Sequence, residues 1–154
     1  MAISPTSQDV QQAVVVDAAQ ADRLDGFVLR AQAAAESFRR LDQEQVDAIV
    51  WAMVVAGLES AFELAQLAME ETQFGVLEDK VVKNYIATEF LYDYLKDKPS
   101  VGVIEEDPKH GIQRVAEPIG VVLALLPITN PTSTALFKSI VAAKTRNAIV
   151  FRPS

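Results

Sequence analysis

The chain has 154 residues, is half hydrophobic, and carries a net charge of −7 with no cysteine and one histidine, His110. That length sets one domain as the expectation, and an acidic balance without a basic stripe speaks against nucleic acid, whose phosphates need a cationic surface. Without cysteine the chain itself has no disulfide, thiolate metal site or cysteine nucleophile, and one histidine is too few for a histidine metal site.

No apolar run approaches the roughly 18 to 20 residues that cross a bilayer. The opening stretch, with Val14 to Val16 as its one apolar run, lacks the basic start and apolar core of a signal peptide. A cytoplasmic protein with no membrane partner is therefore expected. Residues 1–20 read as a mobile leader, and residues 21–98 as a helical scaffold. In the first helix Phe27, Val28, Ala31, Ala34, Ala35, Phe38 and Leu41 recur at helical spacing. Asp42 followed by Gln45 is a capping-box pattern that opens a second helix, 43–72. Its apolar face is expected to use Val46, Ile49, Val50, Met53, Val54, Phe62 and Leu67, with Trp51 also in the core. Gly57 inside it marks either a break or a close contact, because a mid-helix glycine costs about 1 kcal/mol relative to alanine. Gly75 is the expected left-handed residue closing this helix. A third helix, 77–96, is expected to bury Val82, Tyr85, Ile86, Phe90 and Tyr94, and to end before Pro99.

At Pro99 the composition changes: six of the seven prolines lie from there onward. Val101 to Ile104 and Ile112 to Val115, joined by Asp107-Pro108-Lys109-His110-Gly111, predict a β-hairpin within 99–116. The run Gly120 to Leu126 predicts a strand buried on both faces of a parallel sheet. Thr132 to Ala143 predicts an amphipathic helix, closed by Thr145-Arg146-Asn147 with Asn147 left-handed, and Ala148 to Phe151 a second buried strand. Residues 117–154 are thus one right-handed β-α-β unit, and the class is α/β. One crossover helix covers only one face of two strands, so the expectation is an incomplete domain, the N-terminal part of something longer or a chain completed by a partner.

Pro118-Ile119-Gly120-Val121-Val122, then Pro127-Ile128-Thr129-Asn130-Pro131, then Lys138, then Arg146-Asn147-Ala148-Ile149-Val150-Phe151 together resemble the aldehyde dehydrogenase superfamily. The wording from Thr129 to Ser139, the run Lys144 to Phe151, and the helical stretch Gly75 to Asn84 are similar to its CoA-acylating branch. Their nearest likeness there is the acetaldehyde dehydrogenase half of bifunctional aldehyde-alcohol dehydrogenases. The resemblance covers about residues 20–154 and implies an oxidoreductase that converts an aldehyde, CoA and NAD to acyl-CoA and NADH, with acetaldehyde and acetyl-CoA as the expected pair. It implies a cysteine nucleophile downstream of these motifs, so this chain alone is expected to be inactive. It implies iron only if an alcohol dehydrogenase domain follows. It also implies a homo-oligomer, with the hairpin 101–115 as the association element, since an edge hairpin needs pairing or cover.

The resemblance assigns cofactor contact to Leu125, Leu126, Pro127, Ile128 and Thr129 in the first βα loop, because ligands of open α/β sheets sit beyond the carboxyl ends of the strands. No glycine-rich phosphate cradle is present. Asn130 is the candidate oxyanion donor, a side-chain amide aimed at developing negative charge; if the register shifts by one, Thr129 takes that place. The structural alternative is Asn130 as a helix cap. Arg152 is a candidate contact to the adenosine ribose, or to a 2′-phosphate and hence NADP; its alternative is an exposed arginine. Lys138 reads as a solvated or packing lysine and His110 as exposed. The acidic pairs Glu70-Glu71 and Glu78-Asp79 read as solvated helix ends. Two other functions stay open: a non-acylating NAD(P)-dependent aldehyde dehydrogenase, and a non-catalytic helical interaction or nucleotide-binding module.

Overall fold

The computed structural model describes residues 17–154. Most of the leader expected over residues 1–20 lies outside the described residues, and residues 18–20 already form the first turn of α1 (Ala18–Phe38). Asp17 opens this helix by accepting from the Ala19 N–H at 2.9 Å. Helix α2 (Gln43–Glu59) starts on the expected capping box: Gln45 N–H donates to Asp42, and Asp42 N–H donates back to the Gln45 side chain. These reciprocal bonds pair two of the orphan donors of the first turn.

The single helix expected over 43–72 is two helices. The chain bends by 60° at Ser60 between α2 and α3 (Ala61–Thr72). Asn84 causes this locally, because its side-chain Nδ2 donates to the Ala61 carbonyl at 2.8 Å and anchors the first residue of α3 to a separate helix. Gly57 is not the break but a close contact. A Cβ there would lie 2.8 Å from Thr88 Cγ2 and 3.0 Å from Leu136 Cδ2. The bend turns Phe62 and Leu67 outward, and both are more than half exposed. Alanines 61, 65 and 68 face inward instead. Gln73, not Gly75, is the left-handed residue closing α3 (φ 53°), its N–H donating to Met69 O at 2.9 Å; Gly75 follows with φ 90°.

The third helix is α4 (Leu77–Tyr85), a π-helical turn (Ile86–Phe90) and α5 (Leu91–Leu95) in succession. Its expected buried face is exposed: Val82, Tyr85, Ile86, Phe90 and Tyr94 all point outward. Over α4 and the π-helical turn the inward face is Lys80, Asn84, Ala87 and Thr88; in α5 the half-buried Leu91, Tyr92 and Leu95 pack against the core. Bulk decided against the larger side chains. This helix crosses α3 and the start of another helix closely, and only small or hydrogen-bonded side chains fit between them. Trp51, expected in the core, is half exposed and lies against Tyr92 with ring centroids 4.9 Å apart. Phe27 is exposed beneath two guanidinium groups, Arg30 at 4.8 Å and Arg23 at 6.0 Å.

Strands β1 (Gly102–Asp107) and β2 (Ile112–Ala116) form the antiparallel hairpin, with an irregularity in register between Val103 and Glu105. In its turn the His110 ring lies 2.6 Å from the Asp107 carboxylate and, by hydrogen bonding, holds Asp107 below its usual value. Strands β3 (Val121–Leu126) and β4 (Ala148–Pro153) pair in parallel, from Val121 opposite Ala148 to Leu126 opposite Pro153. Helix α6 (Pro131–Lys144) connects them. The expected burial of β3 on both faces is not met: Ala124 is buried, but Leu123 and Leu125 are more than half exposed. Alternation makes the reason plain, since these two leucines share the strand face that Ala124 does not. Arg146, not Asn147, takes the left-handed turn after α6 (φ 56°). Its buried guanidinium donates to Arg39 O and Ala116 O, which ties the end of α1 and the end of β2 to the start of β4.

The core is Val46, Val50 and Val54 of α2 against Ile140 and Ala143 of α6. Beside it the buried Lys144 pairs with Asp47. Gln43 donates to Asp47 and accepts the N–H groups of Ser100 and Val101, fixing the base of the hairpin on α2.

Gly57→Ala tests the closeness of this packing. Alanine gains about 1 kcal/mol of helix propensity, but it overpacks a β-branched neighbour at a typical cost of about 1–3 kcal/mol. The expected result is a net loss of about 1 kcal/mol in urea unfolding, larger for Gly57→Val.

Candidate functional site

The candidate residues converge because β3 and β4 run parallel and in register. Leu125 lies opposite Arg152, and Leu126 opposite Pro153. The loop Pro127 to Asn130 leaves β3 at that same carboxyl edge and leads into α6. One edge therefore carries the predicted loop and Arg152 together, which is where open α/β sheets place ligands. Arg152 is exposed and lines a groove of about 780 Å³ with Leu123, Val150 and the α1 residues Leu24 and Phe27.

Asn130 occupies the N-cap of α6 but does not cap it. Its side chain makes no bond to the first-turn amides, and Pro131 follows at the first helical position. Proline there removes one orphan donor. The side chain turns to the loop instead, where Nδ2 donates to Thr129 Oγ1 at 3.2 Å. An amide nitrogen carries two protons; the second has no partner among the described residues. Oδ1 is buried and equally without a partner there. So the amide does not cap the helix, and beyond its one bond to Thr129 it stays without partners among the described residues. Asn130 also borders an open hollow of about 340 Å³ between the π-helical turn and α6, beside Lys83, Ile86 and Phe137.

Two buried residues that the sequence reading did not single out hold this loop. Lys80 is 4% exposed, and its ammonium donates to the Thr129 carbonyl at 3.1 Å. Asn84 is fully buried, and its Oδ1 accepts from the Thr132 hydroxyl at 3.0 Å. Thr88, one turn further, donates to Asn84 O at 2.7 Å. The signal was available as a polar stripe at i, i+4 and i+8, but the bulky stripe Val82-Ile86-Phe90-Tyr94 competes with it at the same period. Lys138, read as solvated or packing, is half-buried and donates to Leu125 O at 2.6 Å, fixing the end of β3 from the helix side. His110 belongs to the hairpin turn, and Glu78 and Asp79 lie in the first turn of α4. Among the described residues no three His, Asp or Glu side chains are grouped to hold a metal ion, and no single helix is long and apolar enough to cross a membrane.

Asn84→Ala removes the side-chain bond to Ala61 O and leaves the Thr132 hydroxyl without its acceptor. The expected loss of stability is about 3 kcal/mol, against about 1 kcal/mol for Thr132→Val, both read from denaturant midpoints.

Comparison with known proteins bears on the same loop. A model of the aldehyde dehydrogenase family matches residues 2–154. The bifunctional aldehyde-alcohol dehydrogenase of Escherichia coli is 44% identical over 130 residues, which is 84% of this chain and 15% of that protein. The aldehyde-alcohol dehydrogenase of Clostridium acetobutylicum is 47% identical over 120 residues, 78% of this chain and 14% of that protein. The crystal structure of an acetylating aldehyde dehydrogenase from Geobacillus thermoglucosidasius superposes with a TM-score of 0.84 at 41% identity, covering 86% of this chain and 29% of that one. The chain thus spans less than a third of the length of each of these three proteins.

Proposed function

The chain belongs to the aldehyde dehydrogenase family, and from that premise we propose that it is the N-terminal part of an acylating enzyme that turns an aldehyde, CoA and NAD⁺ into acyl-CoA, NADH and a proton. Acetaldehyde and acetyl-CoA are the preferred pair. The observation that carries this reading is the Pro127 to Asn130 loop, whose asparagine side chain does not cap α6, at the end of the strand on which Leu125 pairs with Arg152, in a chain 41% identical to an acetylating enzyme over 86% of its length.

Each residue has a part in that reading. Leu125 to Thr129 form the wall against which the cofactor lies, and Arg152 contacts its adenosine ribose. These residues fit a dinucleotide: the edge is a parallel carboxyl edge, its loop is short, and Arg152 stands exposed at its border. NAD supplies the hydride acceptor when bound, and NADP is the lesser fit. Asn130 donates through Nδ2 to the oxygen of the reacting carbonyl as negative charge gathers on it. Such a donor is worth about 3 kcal/mol when it is fixed before the reaction. The attacking thiolate of the thioester route is not among these 154 residues, so this segment binds and orients while the nucleophile comes from elsewhere in the enzyme. The hairpin β1–β2, with Val103, Ile112 and Val115 exposed, serves subunit association. The working location is the cytoplasm.

The test is NADH formation from acetaldehyde by the full-length polypeptide, with and without CoA. Formation only with CoA, with acetyl-CoA as product, is expected; NADH formed equally well without CoA would establish the non-acylating reading instead. Asn130→Ala should lower kcat by about 10²–10³-fold. Arg152→Ala should raise the KM for NAD with kcat little changed, as expected for a contact made equally in ground and transition states. A loss carried by Thr129→Val and not by Asn130→Ala would move the donor role to Thr129.

A further inference from the structure

We propose that Lys80 is a positioning residue for Asn130, acting through the Thr129 carbonyl; this rests on the reading of Asn130 given above. A lysine that is 4% exposed is costly to bury unless its charge and donors are used. Among the described residues Lys80 has no carboxylate partner, and its one hydrogen bond goes to Thr129 O at 3.1 Å. That carbonyl, in turn, receives no backbone N–H. The two groups are therefore each other's partner. The Thr129 carbonyl belongs to the peptide unit whose nitrogen is that of Asn130. Gripping it fixes the plane of that peptide, and with it the direction in which Asn130 leaves the backbone (φ −141°, ψ 56°).

The same helix face holds the other side of the loop. Asn84, one turn after Lys80, accepts from Thr132. Residues i and i+4 of a helix are neighbours on one face, so Lys80 and Asn84 make a two-point clamp on positions 129 and 132, with Asn130 between them. Asn130 needs an outside clamp because its own side chain does not cap α6 and Pro131 offers no N–H to the loop. Gly75 lies beside the lysine stem, where a Cβ would make only ordinary contact, 3.5 Å from Lys80 Cε and 3.8 Å from Nζ; its φ of 90° is what calls for glycine. The clamp holds the chain on both sides of Asn130 while one N–H of its amide has no partner among the described residues, which suits a donor fixed before the chemistry.

The experiment compares wild type, Lys80→Met, Asn130→Ala and the double variant in the full-length enzyme, with kcat, the KM for NAD and for acetaldehyde, and thermal melting measured on each. Lys80→Met should lower kcat by about tenfold or more while both KM values stay within about threefold, the split expected when only the transition-state contact is misplaced. The double variant should be no slower than Asn130→Ala by more than about twofold, since residues acting as one unit are not additive. A kcat for Lys80→Met within about twofold of wild type, or a double variant whose loss is the product of the two single losses, overturns the proposal. If Lys80→Met does not fold, Lys80→Gln keeps a donor without the charge and should show the same split at smaller size. If that variant also fails to fold, Lys80 is a folding residue and the proposal is wrong. Asn130→Ala reads the underlying assignment separately: full activity there sinks the oxyanion role itself, whereas a large loss there with none in Lys80→Met sinks only the clamp.

Discussion

Asn84 holds three helices with one amide. Its nitrogen bonds the first residue of α3, its oxygen bonds the second residue of α6, and its backbone carbonyl receives Thr88. Apolar packing has no direction and would tolerate several rotations of α4. A fully buried amide tolerates one, because every unpaired donor or acceptor costs free energy. That single rotation brings Lys80 under the Thr129 carbonyl and sets Thr88 against Gly57. The bend at Ser60, the exposure of Phe62 and the place of the loop before α6 all follow from it.

The rest of the scaffold uses the same device of buried cations on carbonyls. Lys80 and Arg146 are both almost wholly buried and both bond backbone oxygens, while only Lys144 has a carboxylate. Each joins segments far apart in the chain: Lys80 to Thr129, Arg146 to Arg39 and Ala116, Lys144 to Asp47. Left-handed backbone at Arg146 is costly for a residue with a Cβ, and its two guanidinium bonds offset that cost. The apolar core itself is narrow, three valines against Ile140 and Ala143. Such a core supplies cohesion, while the long polar reaches supply register between helix, hairpin and sheet.

The site is a consequence of that register. The parallel pairing of β3 and β4 sets Arg152 beside Leu125, and Lys138 reaches back from α6 to Leu125 O. The loop is thus gripped from α4 on one side and from its own helix on the other. There Oδ1 of Asn130 is buried with no partner among the described residues, and Nδ2 makes one bond, to Thr129 Oγ1, in an otherwise well-paired neighbourhood. Such unspent, preoriented polarity is what ligand chemistry uses, and here it lies on the segment that relates the chain to acetylating enzymes.

Local signals were legible in the sequence wherever the physics is local. The capping box at Asp42, the hairpin around Asp107 to Gly111, the apolar strand from Val121 and the β-α-β order depend on neighbours in the chain, and they formed as read. The family resemblance also lay in contiguous motifs, most of all the loop and its asparagine. What failed were judgements of facing and ending. The third helix carries two stripes at the same period, and size alone favoured Val82, Ile86 and Phe90. Which stripe goes inward depends on how closely α3 and α6 approach, and no window of sequence contains that distance. The left-handed helix ends fell one or two positions early, at Gln73 ahead of Gly75 and at Arg146 ahead of Asn147; at Arg146 the bonds to the distant carbonyls of Arg39 and Ala116 outweighed intrinsic preference. The sequence by itself determined the order of helices, hairpin and β-α-β unit and the residues of the loop, but not the division of 43–72 into two helices. Only the tertiary structure decided that a buried lysine and asparagine of α4 would hold that loop, because their partners lie 49 and 48 residues further along the chain.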